Sequence, residues 1–232
     1  MTDIALARHK GLVFTSAQRD EAEPFIQRWH YSGSLNASMR YAFTLRTPGG
    51  LFGDRGEIVA CCCFAIPVNR NAKPGELELI RLARVEPGID IPLSFLVSKS
   101  LRWLTLNATP EWRMVISYAD NAHQHHGGIY QATNFLYVGK TDIQVQGFRS
   151  LDTGEVIHKR TAYDRYGTSS EKFMRHNANS VPVRGDVKYL YVFPLVRGQK
   201  ARDELMREFK YEALKFPKPD WPAGIRPDEA VV

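Results

Sequence analysis

One stretch of this 232-residue chain gathers side chains that can move protons or hold a polar substrate. Ser117, Tyr118, Asp120, His123 and Tyr130 follow one another closely, with Gly127 between the last two. His30 and Tyr31 stand as an adjacent pair far upstream. A carboxylate such as Asp120 can serve as a base, with the phenols Tyr31 and Tyr130 as hydrogen-bond partners of a substrate. Each residue also has a plainer role. His30 and Tyr31 follow Trp29 at a helix end, where they can cap and pack. Asp120 before Asn121 can form an Asx turn. His123, His125 and His126, as His-x-His-His in a loop, are not a specific metal signature. His123 is expected to face a cleft, and the other two to be solvated or to start a helix. Ser117 and Tyr118, at a strand end, are candidates for lining the pocket.

The elements that must position these residues can be read from periodicity. Residues 114–118 form a short apolar run that reads as a buried strand, followed by a polar loop, a helix over 129–134 and a strand over 135–138. Upstream, 12–15 reads as a strand and 20–29 as a helix with Pro24 in its first turn. A hairpin is expected from 41–46 and 58–66 around a Gly/Pro-rich connection. In 76–85 strict alternation puts Leu77, Leu79, Arg81, Ala83 and Val85 on one face and Ile80 and Leu82 on the other. Arg81, charged within an apolar strand, is placed in the cleft, because an unpaired buried guanidinium is costly. Helix 93–106, strand 186–195 and an amphipathic helix over 201–216 complete the pattern. The alternation predicts a mixed α/β fold, a central mixed sheet flanked by helices. It is a single domain over 1–200 with a basic insertion at 156–176, and 201–232 adds a C-terminal helix and a Pro-rich tail.

The combination of Tyr118, Asp120, His123, Gly127 and Tyr130 with His30-Tyr31 resembles the phage Mom family of DNA-modifying proteins, over about 29–195. The loop–helix–strand unit after Ser117 is similar to the one with which GNAT acyltransferases close their sites, so a GNAT acyltransferase-like fold is implied. The resemblance implies conversion of adenine in duplex DNA to N6-carbamoylmethyladenine, protecting phage DNA from host restriction. It also implies base extrusion, since the amine is paired inside the duplex. Carried over position by position, the family's functional residues are His30, Tyr31, Asp120 and Tyr130, with which iron is associated. Imidazole, phenolate and carboxylate suit iron better than a structural zinc. The metal-free reading, with Asp120 as base, stays open beside it.

Acyl-coenzyme A is a poor candidate for the donor. The turn that would cradle its diphosphate runs over 84–92, where Pro87 and Pro92 remove amide donors and Glu86 and Asp90 repel phosphate. The carbamoylmethyl group has a glycinamide skeleton, which leaves a glycine-derived or other small-molecule donor open.

Segment 156–176 holds Lys159, Arg160, Arg165, Lys172 and Arg175 against Asp164 and Glu171, with Tyr163, Tyr166 and Phe173 interleaved. Cations meet phosphates and aromatics can wedge or stack, so this is the expected DNA-contacting segment. Arg40 and Arg46 offer an alternative path. The net charge of +6 favours anionic partners only weakly. Cys61, Cys62 and Cys63 are consecutive in an apolar run, which suits small core residues of a reducing cytoplasm, that of a host bacterium under the phage reading. Residues 1–10 lack the apolar core of a secretory signal, and no run approaches the roughly 20 apolar residues of a membrane span. Two other functions fit the same residues: a GNAT acyltransferase for a small-molecule or protein amine, and a non-catalytic DNA-binding protein on a GNAT scaffold.

Overall fold

The computed structural model describes residues 7–9, 11–35, 38–50, 55–68, 72–85, 91, 93–120, 126–185 and 187–217. In chain order the elements are β1 (Ala7–His9), β2 (Leu12–Ala17), α1 (Arg19–Trp29), β3 (Met39–Arg46), β4 (Ile58–Ala65), β5 (Glu76–Arg84), α2 (Leu93–Asn107), β6 (Met114–Asp120), α3 (Gly128–Ala132) and β7 (Leu136–Lys140). They continue as β8 (Val145–Ser150), β9 (Val156–His158), α4 (Lys159–Tyr166), α5 (Glu171–Asn177), β10 (Ser180–Arg184), β11 (Lys188–Pro194) and α6 (Gln199–Glu208). The expected GNAT-like order of elements is present, with β1 and the elements from β8 to β10 added to it.

The chain divides into two compact units. The first comprises Met1–Tyr118, Gly127–Val138 and Leu190–Val232, and the second Ala119–His126 and Gly139–Tyr189. The boundary therefore differs from the expected one at 200. The C-terminal helix belongs to the first unit, where Leu205, Met206 and Phe209 pack with Met114, Ile116 and Val192. The segment expected as an insertion folds around a core of its own.

The large sheet has the order β1-β2-β3-β4-β5-β6-β11-β7. β1 to β5 run as an antiparallel meander. β5 and β6, joined through α2, pair in parallel. Helices cover both faces, and the cysteines show why. Cys61 and Cys63 pack with Ala22, Phe25 and Ile26 of α1. Cys62, one residue out of phase, lies 3.2 Å from Ser100 on α2. All three thiols are fully buried, as expected of core residues. Arg46 is only 5% exposed and bonds Glu21 at 2.6 Å, so it ties β3 to α1 and is not available as a DNA path.

The C-terminal helix stops at Glu208, eight residues before its apolar periodicity does. Lys210 adopts a left-handed backbone (φ 53°), which a helix cannot continue through. The chain then runs extended, with Leu214 N–H donating to Tyr137 O and Phe216 stacked on Tyr191. Tyr211 Oη donates to the buried Glu76 at 2.7 Å, and Lys73 lies over the Tyr211 ring.

The second unit is a three-stranded sheet, order β10-β8-β9, with α4 and α5. Phe148, Ala162 and Met174 form its buried core. Among the described residues no helix is long and apolar enough to cross a membrane.

Candidate functional site

β5 and β6 keep register only over Glu76↔Met114, Leu77↔Val115 and Glu78↔Ile116. The next link is a side chain: Ser117 Oγ donates to Leu79 O at 3.1 Å. The reason for the early end lies on the other edge of β5. There the register jumps from Cys63↔Arg81 to Phe64↔Leu79, which leaves Ile80 as an extra residue. A bulge bends its strand and sharpens the local twist, so β5 turns from β6 where their pairing stops. The two parallel strands open into a wedge. The bulge also breaks the predicted alternation: Ile80 packs with Ala83 and Val85 against the α1 cluster instead of facing away from them.

Arg81 is not a bare cation in the cleft. Its Nη1 donates to Ile80 O at 2.7 Å, the carbonyl of the bulged residue. Its Nε donates to Ser34 O at 2.8 Å. One guanidinium thus fastens the loop after α1 to the bulge, and Leu35, buried in the α1 cluster, anchors the next residue.

That loop carries the His-Tyr pair. His30 caps α1 with its backbone N–H on Ile26 O, and Gly33 closes the following turn onto His30 O. Ser32 N–H donates to His30 Nδ1 at 3.1 Å, with Ser32 Oγ at 2.9 Å from the same nitrogen. Nδ1 is therefore an acceptor, and the neutral ring carries its hydrogen on Nε2. Burial, aided by the nearby Arg81 charge, lowers the His30 pKa to about 4. The imidazole is neutral at physiological pH. Tyr31 stacks on it, 4.4 Å between centroids, and is 74% exposed.

Tyr130 comes from the opposite side of the sequence, on α3. Its ring packs on Phe135 and Tyr191 at 5.3 and 5.2 Å. Burial pushes its phenol up to about 12, opposed by a hydrogen bond with Ser117, and Tyr31, Glu78 and Tyr191 raise it further. Gly127 is required twice: its φ is +81°, and a Cβ there would lie 2.4 Å from the Tyr191 ring. The aromatic wall is thus close-packed, with Tyr191 Oη accepting from Gln131 at 3.3 Å.

The structure brings His30, Tyr31, Arg81, Ser117 and Tyr130 together in the first unit. Tyr118 leaves the set. Neighbours on a strand face opposite sides, and Tyr118 packs with Met114 and Ile116 on the α6 side. Asp120 ends β6, but its side chain lies outside the described residues, as do His123, Asn121, His125 and most of the 84–92 turn. His126 belongs to the second unit, tilted against Tyr189. Sequence reasoning missed Glu78, whose carboxylate acts on Tyr130, and Tyr191. The signal for Tyr191 was the alternation Tyr189, Tyr191, Phe193 in one strand.

The model of the Mom protein family matches residues 11–218. This chain belongs to the Mom protein family. No curated protein sequence matches it. Similar solved structures include ribosomal-protein-S18-alanine N-acetyltransferase from Escherichia coli, at 11% identity and TM-score 0.43, covering 82% of this chain and 97% of that one. A GNAT-family acetyltransferase from Streptococcus pneumoniae is similar at 12% identity and TM-score 0.44, covering 79% and 98%. Ribosomal-protein-S5-alanine acetyltransferase from Vibrio fischeri is similar at 6% identity and TM-score 0.46, covering 81% and 95%.

The iron implied by the Mom resemblance can be tested against the donors as they stand. An iron ligand set would need an unprotonated nitrogen turned outward from His30 and a phenolate at Tyr130. Without a metal the Ser32 amide leaves the hydrogen on Nε2 and burial keeps Tyr130 a phenol; a bound iron would have to displace both protons. Among the described residues no three His, Cys, Asp or Glu side chains cluster in a way that could hold a metal. His30, Tyr31 and Tyr130 are the imidazole and phenol donors on which an iron ion would draw, and the fourth residue, Asp120, has its side chain outside the described residues. The described residues form a neutral hydrogen-bonding site, with a donor at His30 Nε2 and a phenol at Tyr130, the latter backed by the buried Ser117 hydroxyl, whose hydrogen goes to Leu79 O.

Proposed function

We propose that this Mom-family chain is a transferase that converts adenine in duplex DNA to N6-carbamoylmethyladenine, and so shields phage DNA from restriction. The observation that carries the reading is the convergence of His30-Tyr31 with Ser117 and Tyr130 at the β5–β6 wedge, in a chain matched by the family over 11–218. The exocyclic amine of adenine is a weak nucleophile, since its lone pair is delocalised into the ring. It must lose a proton as the new N–C bond forms, which needs a base placed within hydrogen-bond reach. The resemblance to the family gives that role to Asp120. His30 Nε2–H and Tyr130 orient the base and the amide of the incoming group, and Tyr31 covers them from solvent. The donor is a small molecule, glycine-derived or other, that carries the carbamoylmethyl carbon on a leaving group; as the N–C bond forms, that group departs with the electron pair of the broken bond, and the amine proton passes to the base. The protein works in the cytoplasm of the host cell.

Mass spectrometry of nucleosides from plasmid DNA made in expressing bacteria tests the proposal. The expected result is a heavier deoxyadenosine, together with plasmid resistance to nucleases that cut at adenine-containing sites. Unmodified nucleosides from cells holding folded protein would sink it. His30→Ala, Tyr31→Phe and Asp120→Ala should each abolish the product while changing stability by no more than about 1–2 kcal/mol, as for polar cleft residues.

A further inference from the structure

We infer that the exposed face of α4 is a docking surface for duplex DNA, on which Lys159 and Arg160 hold phosphates and Tyr163 wedges into the base stack. The inference rests on the DNA reading above and gives it a specific surface.

α4 spends only one stripe on its own unit. Ala162 is fully buried against Phe148 and Met174. Residues three and four apart share a helix face, so Lys159, Arg160 and Tyr163 stand together on another stripe. Tyr163 is 59% exposed. A single exposed aromatic is unremarkable by itself, but the other aromatics of this segment are accounted for. Phe173 packs on the Phe148 core, and Tyr166 lies against Phe173 at 6.1 Å. Tyr163 has no ring partner among the described residues.

The charges follow the same division. Of the two acids in 156–176, Glu171 is bonded to Arg184 at 3.0 Å, outside the segment. Among the described residues Lys159, Arg160, Arg165, Lys172 and Arg175 form no ion pair. Unpaired cations around a lone exposed ring match a polyanion that also presents stackable faces. An acidic protein would supply the charge but nothing for the ring to enter.

The full-length protein is titrated with a duplex carrying 2-aminopurine next to an adenine. Wild type should raise the 2-aminopurine fluorescence on binding. Tyr163→Ala should bind within about 3-fold of wild type yet lose that rise, and Tyr163→Phe should restore it. Lys159→Ala and Arg160→Ala should weaken binding and each reduce the slope of log affinity against log salt by about 1. A retained rise in Tyr163→Ala, or unchanged affinity and slope in both basic variants, overturns the inference. Nucleoside mass spectrometry on the same variants separates it from the enzymatic reading. Tyr163→Ala should modify duplex at least about 10-fold more slowly but single-stranded adenine within about 3-fold. Wild-type modification together with undiminished duplex modification by Tyr163→Ala removes the wedge alone. Absence of modification in wild type removes the enzymatic reading, while the binding arms still judge α4.

Discussion

His30 is held as a neutral ring by three neighbours: the Ser32 amide, the enclosing protein and the Arg81 charge. Its pKa of about 4 lies below the ordinary 6.5, so the unfolded chain takes up a proton first as pH falls. The stabilising contribution is complete above about 6.5 and is lost progressively between about 6.5 and 4. In an NMR titration the His30 ring signals should stay fixed from pH 7 to pH 5. In Arg81→Met the midpoint should move upward and the 30–35 loop should loosen; a midpoint already near 6.5 in wild type would refute this account. Gly127→Ala should be costly for a different reason. The left-handed backbone alone costs about 1–3 kcal/mol in a residue with a Cβ, and the Tyr191 ring has no room for one. A melting temperature within error of wild type would contradict that. The His-Tyr pair and Tyr130 were legible as candidates through the family resemblance, and Ser117 through its place at a strand end. Glu78 and Tyr191 were not: a carboxylate and a tyrosine in alternating strands look like surface and core until their neighbours are known.

β5 and α6 show where periodicity stops informing. The strand was legible, but its faces were not, because one extra residue at Ile80 inverts every later assignment. That same residue opens the wedge, so the feature hidden from pattern analysis is the one on which the site depends. The last helix misled in the opposite direction. Phe216 is apolar because it stacks on Tyr191 from an extended segment, not because it continues a helical stripe. The segment is fastened at Tyr211, whose hydroxyl satisfies the Glu76 carboxylate, only 1% exposed. Tyr211→Phe leaves Lys73 N–H on Glu76 but removes the phenol donor, for an expected loss of about 1–3 kcal/mol in urea unfolding. A change under about 0.3 kcal/mol would show that water replaces the phenol at no cost.

On the scale of the molecule, the two units differ in what holds them. The first buries long stretches of β3 and β4, whereas Phe148, Ala162 and Met174 are the buried core of the second. Amides of β8 and β10 should therefore exchange with solvent faster than those of β3 and β4, and equal rates would mean that the units open as one. The three adjacent thiols of β4 have a practical consequence. None has any exposed surface, and the hydrogen bond with Cys63, together with burial, raises the pKa of Cys61 while burial raises that of Cys62. A thiol is attacked by an alkylating reagent as its thiolate and only where it can be reached. The rate at which such a reagent consumes these three groups therefore counts openings of the large sheet, with no label added. A substitution that abolishes the proposed DNA modification but leaves alkylation slow has removed chemistry. One that is alkylated quickly has lost the scaffold, because β4 is the strand against which β5 forms the Ile80 bulge, and with it the wedge.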